Sequence, residues 1–109
     1  MTASARTDRW LADLRRTLES AASLAARGRA AYDADEALRL AFEALVTRVG
    51  ELAKRLVAAG PARFSDGIWS LAARQRDFVA HHYDRIDHDA LWLTVTNDFP
   101  RLAAAVALA

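Results

Sequence analysis

The residues that could do chemistry in this sequence lie close together, in the segment of residues 76–83. Histidine has an ordinary pKa of about 6.5, so His81 could accept or donate a proton near neutral pH. Asp77 precedes His81 by four residues, and on a helix this spacing brings a carboxylate within reach of the imidazole ring, where it would fix the tautomer. The spacing alone also fits a solvated helix face, because Arg, Asp and His are common on exposed helices.

A helical wheel at 100° per residue divides this segment into separate faces. Arg76 and Tyr83 share one stripe, and Asp77 and His81 lie on a second stripe beside it. A third, apolar arc is predicted to face the core, and its members are Leu71, Phe78, Val79, His82 and Ile86. The two adjacent histidines therefore differ: His82 is expected to be buried and hydrogen-bonded, and His81 is expected on the polar side.

Apolar residues at helical spacing predict two helices before this segment. The first covers about residues 8–27, and Gly28 is its stop signal. The second follows an acidic capping pair, Asp33 and Glu36, and Gly60-Pro61 ends it. Gly50 lies inside this second helix, where glycine costs about 1 kcal/mol relative to alanine. Its presence there indicates a backbone that packs closely against another helix.

Two further helices are predicted in the second half of the chain. The third should begin near Trp69 or Ser70 and include the chemical segment, ending at about Ile86. Asp87 is suited to cap the fourth. Pro100 should break or kink this fourth helix near residue 98, because proline disfavours helical geometry in the residue before it.

The composition favours an all-α fold. Hydrophobic residues make up 53% of the chain, and the 109 residues include only 4 Gly and 2 Pro, so little interrupts helices. We predict an up-and-down bundle of four to five helices, in a single domain over residues 1–109. Trp10, Trp69 and Trp92 are expected to serve the core or an interface.

The same composition excludes several function classes. The absence of cysteine excludes a disulfide scaffold, a Cys-ligated zinc site and a thiol nucleophile. A metal site built from His81, His82 and His88 is not expected, because the first two diverge on the wheel, and no cofactor motif is present. With no signal peptide or membrane span in the sequence, we expect a cytoplasmic protein. The formal charge of +1 gives no argument for nucleic-acid binding, so any RNA affinity must come from local clustering.

Residues 76–83 read RDFVAHHY, which has the form Arg, four residues, His, any residue, Tyr. This form resembles the signature of HepT-like HEPN-domain proteins, and DRID at residues 84–87 is similar to the family's usual ending. The flanking matches are residues 48–56, Trp69, residues 91–92 and residues 98–100. The resemblance covers about residues 8–106. One departure is Asp77, where the family often has Asn, and another is the absence of a Gly often found shortly before the motif Arg.

The resemblance implies a HEPN-like helical bundle that forms a homodimer, in which the two motif helices line a shared cleft and cut RNA without a metal or cofactor. His81 would be the base that acts on a ribose 2′-hydroxyl, and Arg76 would hold the scissile phosphate. Asp77 would orient His81. Arg74 and Arg85 would bind RNA by adding positive potential to the cleft. The product would be a 2′,3′-cyclic phosphate or its hydrolysed form.

The resemblance also implies a partner, a minimal nucleotidyltransferase antitoxin of the MntA type that attaches AMP to the motif tyrosine, here Tyr83. AMP there would place a phosphate against Arg76 and block the cleft. Two other hypotheses stay open. The chain could be a non-catalytic helical partner that docks a nucleotidyltransferase and presents Tyr83 to it. It could also be a general helical interaction module in which Arg76, His81 and Tyr83 are only surface residues.

Overall fold

The computed structural model describes residues 2–81 and 83–109, and the side chains of residues 80–83 lie outside that description. The described residues form helices and no strand, which confirms the predicted all-α class. The helices are α1 (Ala3–Ala25), α2 (Arg29–Ala34), α3 (Glu36–Ala59), α4 (Gly67–His81), α5 (His88–Leu93) and α6 (Phe99–Leu108). A 3₁₀ turn covers Tyr83–Arg85, and a π-helical segment, Thr94–Asp98, joins α5 to α6.

The long helices pack as a four-membered bundle. α1 lies against α3 and α6, α3 lies against α4, and α4 lies against α6, while short α2 covers one end of α3. The predicted bundle of four to five helices is therefore confirmed. Its core is built from the apolar stripes of these helices, including Leu14 and Leu18 of α1 and Phe42, Val49 and Leu56 of α3. None of the described helices is long and apolar enough to cross a membrane.

Capping side chains determine where the helices begin. Thr2 Oγ1 accepts a hydrogen bond from the Ala5 amide at 3.1 Å, so α1 begins five residues earlier than predicted. Asp35 caps α3 by accepting from the Ala37 amide at 2.9 Å. The prediction that Asp33 caps this helix is wrong, because Asp33 lies within α2 and pairs with Arg29.

Gly28 and Asp87 act as the sequence predicted. Gly28 separates α1 from α2 with a φ of 91°, a left-handed conformation that glycine adopts without the steric cost of a Cβ atom. Asp87 caps α5, since its carboxylate accepts from the amides of Asp89 and Ala90 at 2.9 and 3.1 Å. Both signals are local, so they are independent of how the helices pack.

Pro100 does not break the predicted fourth helix, but a π-helical segment precedes it. The Phe99 amide bonds to the Thr94 carbonyl, a five-residue step that widens the helix into the π-helical segment. Pro100 then falls in the first turn of α6, where a missing amide N–H costs little. The predicted disturbance near Asp98 is confirmed, and it keeps Phe99 and Leu102 in the core.

The predicted third helix differs from α4 at its end and in its orientation. α4 ends at His81, before the 3₁₀ turn, rather than at Ile86. Phe78 was predicted to be buried, but it is 49% exposed, whereas Trp69 and Ala72 are buried. α4 is thus rotated so that its small residues meet α3. The prediction that His82 is a core residue lies outside the described residues.

Candidate functional site

The site is built where α4 crosses α3, and the crossing depends on Gly50. A Cβ atom built on Gly50 would lie 2.1 Å from Arg76 Cβ and 2.7 Å from the Ala72 carbonyl oxygen. Neither distance is possible for a real side chain, so only glycine lets the two backbones approach this closely. The prediction of close packing at Gly50 is confirmed, and its consequence is that the base of Arg76 lies directly on α3.

The guanidinium of Arg76 is held between two carboxylates. Its Nη2 lies 3.1 Å from Glu51 Oε2, and its Nη1 donates to Asp77 Oδ1 at 3.0 Å. The Nε atom is buried, and it has no hydrogen-bond partner in the part of the chain that the structure describes. The side chain is 30% exposed, so its charged end reaches solvent while its stem is packed against α3. Arg76 is therefore fixed in position with a face still open to a ligand.

Arg76 lies on the wall of an open cavity of about 770 Å³ between α1 and α3, which we call the α1/α3 groove. Its lining residues are Arg9, Trp10, Asp13, Ala44, Thr47, Arg48, Glu51, Leu52, Arg55 and Arg76. Four arginines and two carboxylates give these residues a formal charge of +2, against +1 for the whole chain. The local clustering that RNA binding would require is thus present in the groove.

The arginines of the groove are not equally neutralised. Glu51 lies between Arg76 and Arg55, whose Nη2 is 3.6 Å from Glu51 Oε1. Arg48 donates from Nε to the Thr17 hydroxyl at 3.1 Å, and neither Arg48 nor Arg9 forms a salt bridge with any side chain that the structure describes. Their charges are available to an anionic ligand.

The model of the family described as "Ribonuclease HepT-like" matches residues 14–108 of the chain, from within α1 to the last residue of α6. The chain belongs to the HepT-like ribonuclease family. The resemblance carried by Arg76, His81 and Tyr83 is confirmed at this level, and the helical bundle agrees with it. No curated protein and no solved structure matches the chain significantly.

Within this family assignment, the structure brings together only part of the predicted catalytic set. Arg76 and Asp77 are in contact, and Asp77 is an ion-pair partner of Arg76. His81 is the last residue of α4, so it shares a helix with Arg76. The side chains of His81 and Tyr83 lie outside the described part of the molecule. The predicted roles of His81, Tyr83 and Asp77 in the reaction therefore stay predictions.

The two arginines predicted to bind RNA both lie at the surface. Arg74 is exposed on α4, and Arg85 is exposed in the 3₁₀ turn, where its Nε lies 3.9 Å from Asp84. Neither lines the α1/α3 groove. Exposed positions fit contact with RNA, and no observation yet separates them from ordinary solvated arginines.

Three charged groove residues of α3 fall within residues 48–56, a stretch that resembles the family, but the sequence predicted no role for them. Arg48, Glu51 and Arg55 follow one another at spacings of three and four, which places them on one helix stripe beside Gly50. Charged residues on one helix stripe, next to a glycine that allows another helix to pack closely, could have indicated these groove residues from the sequence. Trp10, which is predicted to serve the core or an interface, is partly buried at the groove wall, with the Arg6 guanidinium over its ring, 5.9 Å from the ring centre.

Proposed function

We propose that this chain is the ribonuclease toxin of a HEPN/nucleotidyltransferase toxin–antitoxin system of the type VII kind. Arg76 and His81 would cut RNA at the cleft of a homodimer without a metal ion, and AMP on Tyr83 would neutralise it. The observation that carries the proposal is the position of Arg76, fixed over Gly50 by two carboxylates and facing an arginine-rich groove. Membership of the HepT-like ribonuclease family supports RNA as the substrate.

The proposed reaction uses groups that the chain itself supplies. His81 takes the proton from a ribose 2′-hydroxyl, and the 2′-oxygen then forms a bond to the adjacent phosphorus. The bond from phosphorus to the 5′-oxygen of the next nucleotide breaks, and that oxygen takes up the proton from protonated His81, which returns to its neutral form. The products are a 2′,3′-cyclic phosphate and a 5′-hydroxyl. Because the step requires only a base and a cation, we expect it to proceed in the presence of a chelator.

Arg76 is proposed to stabilise the negative charge that develops on the phosphate. A guanidinium forms two parallel hydrogen bonds to phosphate oxygens, and a donor fixed in advance costs no reorganisation during the reaction. Glu51 and Asp77 supply this fixed geometry, since both contact the terminal nitrogens of Arg76. Asp77 is further proposed to orient His81, and Arg74 and Arg85 to attract the RNA backbone.

The homodimer and the antitoxin complete the proposal. Phe78 lies on the motif helix and is half exposed in the single chain, which supports a protein partner beside that helix. A nucleotidyltransferase of the MntA type would attach AMP to the Tyr83 hydroxyl. The added phosphate would compete with RNA for Arg76, so neutralisation needs no refolding of the bundle.

Expression in a bacterial host without the antitoxin tests the toxin proposal. The wild-type chain should arrest growth and degrade RNA, and the His81→Ala variant should do neither at the same protein level. Tyr83→Phe should remain toxic when the nucleotidyltransferase is co-expressed, whereas the wild-type chain should gain the mass of AMP and become harmless. The His81 variant therefore tests the cleavage step, and the Tyr83 variant tests its neutralisation by AMP.

Equal harmlessness of soluble wild-type and His81→Ala chains, with intact RNA in both cultures, would contradict the toxin proposal. The non-catalytic partner hypothesis would then be tested by asking whether the purified chain binds the nucleotidyltransferase and accepts AMP at Tyr83 without cutting any RNA.

A further inference from the structure

We infer that the α1/α3 groove is the binding subsite for the single-stranded RNA next to the cut, with Trp10 stacking on a base and Arg9 and Arg48 binding phosphates. The inference rests on the proposed function, because it names where the substrate of that function lies. It assigns a role to α1, a helix that contributes none of the residues proposed to carry out the cleavage.

The size and shape of the groove fit a chain-like ligand. Its volume of about 770 Å³ exceeds that of the apolar cavity of about 160 Å³ beside Phe78. A second cavity, of about 240 Å³, shares Asp13 and Arg48 with the groove and extends along α1 to Ser20. The two adjoining cavities thus extend from Arg76 along the α1–α3 interface. An extended RNA strand could place several consecutive nucleotides there.

The charges of the groove fit a polyanion. Arg9 and Arg48 form no salt bridge within the described chain, so binding a phosphate would break no existing ion pair. Arg76 lines the same groove, and the scissile phosphate is proposed to bind there. Phosphates on the neighbouring nucleotides would then meet Arg9 and Arg48 as the strand continues along α1.

Trp10 distinguishes single-stranded RNA from other polyanions. Proteins that bind single-stranded nucleic acid combine a positive groove with aromatic rings on which the bases stack. Trp10 lines the groove and is only partly buried, and the Arg6 guanidinium lies over its ring, so a base would stack on the other face or displace Arg6. A base can stack on this ring only when it is not paired within a duplex, so duplex RNA should bind this surface less tightly.

Binding is measured with the full-length chain carrying His81→Ala, so that the RNA stays intact, and with a fluorescent single-stranded RNA of mixed sequence. Adding Trp10→Ala should weaken binding at least about fivefold, the lower end for loss of one base–aromatic stack. Trp10→Phe keeps an aromatic ring and should restore most of the affinity. Thermal melting of each variant shows whether the partly buried position still folds.

Exposed arginines give a test that does not depend on folding. Arg9→Gln and Arg48→Gln should each lower the slope of log affinity against log salt by about 0.7, the value for one phosphate contact on a single strand. Arg15→Gln is the matched control, because Arg15 is an exposed arginine of the same helix that lines the cavity between α1 and α6. Its slope should not change.

The outcomes separate this inference from the proposed function. If the wild-type chain cuts RNA while the Trp10, Arg9 and Arg48 variants keep its affinity, salt slope and KM, the groove assignment is overturned and the cleavage proposal stands. If the wild-type chain cuts no RNA but binding depends on Trp10 and Arg48, the groove is an RNA site and the cleavage proposal fails. Equal affinity for duplex RNA would contradict the assignment to single strands.

Discussion

Two arginines of this protein are each held by two carboxylates, yet their surroundings differ. Arg29 pairs with Asp33 at 2.8 Å and with Asp89, which joins α2 to α5. Arg76 pairs with Glu51 and Asp77 at the crossing of α3 and α4. The hydrogen bonds that Arg29 donates to Asp89 and Asp33 raise the pKa of its guanidinium above the ordinary value.

Arg29 lies over a packed cluster of aromatic rings, whereas Arg76 lines an open groove. The Arg29 guanidinium lies 5.6 Å from the Tyr32 ring centre and 5.9 Å from that of Trp92, over a cluster in which the Tyr32 and Phe42 ring centres are 4.8 Å apart. Arg76 instead faces the α1/α3 groove. A pair of carboxylates around an arginine therefore does not identify a functional site. The proposed site rests instead on the neighbouring cavity, where Arg9 and Arg48 form no salt bridge with the described residues.

The largest expected effect is the loss of cleavage when the charge of Arg76 is removed. Arg76→Gln should lower the rate of RNA cleavage by about 100-fold or more, in the range seen when one donor to a developing negative charge is lost. Arg29→Gln is the matched control and should leave the rate unchanged while it lowers the melting temperature. Equal cleavage rates in the two variants would remove the functional distinction between the two arginines.

The second expected effect is on folding at the helix crossing. Gly50→Ala should destabilise the protein by about 1–3 kcal/mol or more, because the added Cβ overlaps Arg76 Cβ and the Ala72 carbonyl. Gly67→Ala is the control, since its added Cβ would meet no described atom within 4 Å beyond its chain neighbours and its own helix backbone, and the stability should change by less than about 0.5 kcal/mol. Urea unfolding measures both. A neutral Gly50→Ala would contradict the close approach of α3 and α4.

The third expected effect separates positioning of Arg76 from binding of RNA. Glu51→Gln removes a negative charge beside the proposed position of the scissile phosphate, so KM should not rise. Its weaker bond to Arg76 should lower kcat by about tenfold, the equivalent of about 1.4 kcal/mol. Steady-state kinetics with a single-stranded RNA give both values. A rise in KM with an unchanged kcat would indicate that Glu51 contributes to RNA binding rather than to the position of Arg76.

The smallest expected effect lies in the aromatic cluster beneath Arg29. The Tyr32 hydroxyl donates to the His88 carbonyl at 2.8 Å, so Tyr32→Phe should cost about 1 kcal/mol of stability and leave cleavage unchanged. Burial raises the pKa of Tyr32 to about 12 from its ordinary value of about 10. The neutral phenol is therefore the form that the fold favours.

Because the pKa of Tyr32 is raised in the folded protein, the free energy of unfolding should depend on pH. The stability that Tyr32 contributes is fully present below about pH 10 and is lost as the pH rises toward 12. Unfolding free energies measured across this range should fall more steeply for the wild-type chain than for Tyr32→Phe. Parallel curves would show that Tyr32 ionises as easily in the folded protein as in the unfolded chain.

Local signals in the sequence predicted much of the bundle. Helical periodicity, Gly28, Gly60-Pro61 and the Asp87 cap depend on residues close together in the chain, and the structure has all of them. The cap at Asp33 was misassigned because α2 is a short helix between Gly28 and α3. Two acidic residues stand two positions apart there, and the choice between them depends on where α2 ends.

The orientation of α4 could not be read from its own residues. Two stripes of α4, one containing Phe78 and the other Trp69, are each apolar enough to face a core. Gly50 on α3 determines which of them does, because it leaves room for Ala72 and the stem of Arg76 to pack against α3. The groove was harder still, because Trp10 and Arg48 come together only through the packing of α1 on α3. Arg76 itself was found from a local motif.

The most direct test of the account is cleavage of a defined single-stranded RNA by the purified chain in excess chelator, with the ends of the fragments identified. The wild-type chain should release fragments that end in a 2′,3′-cyclic phosphate, or its hydrolysed form, and that begin with a 5′-hydroxyl. His81→Ala should cut the RNA at a rate lower by about 100-fold or more. Intact RNA after incubation with the folded wild-type protein, or fragments that begin with a 5′-phosphate, would contradict the account.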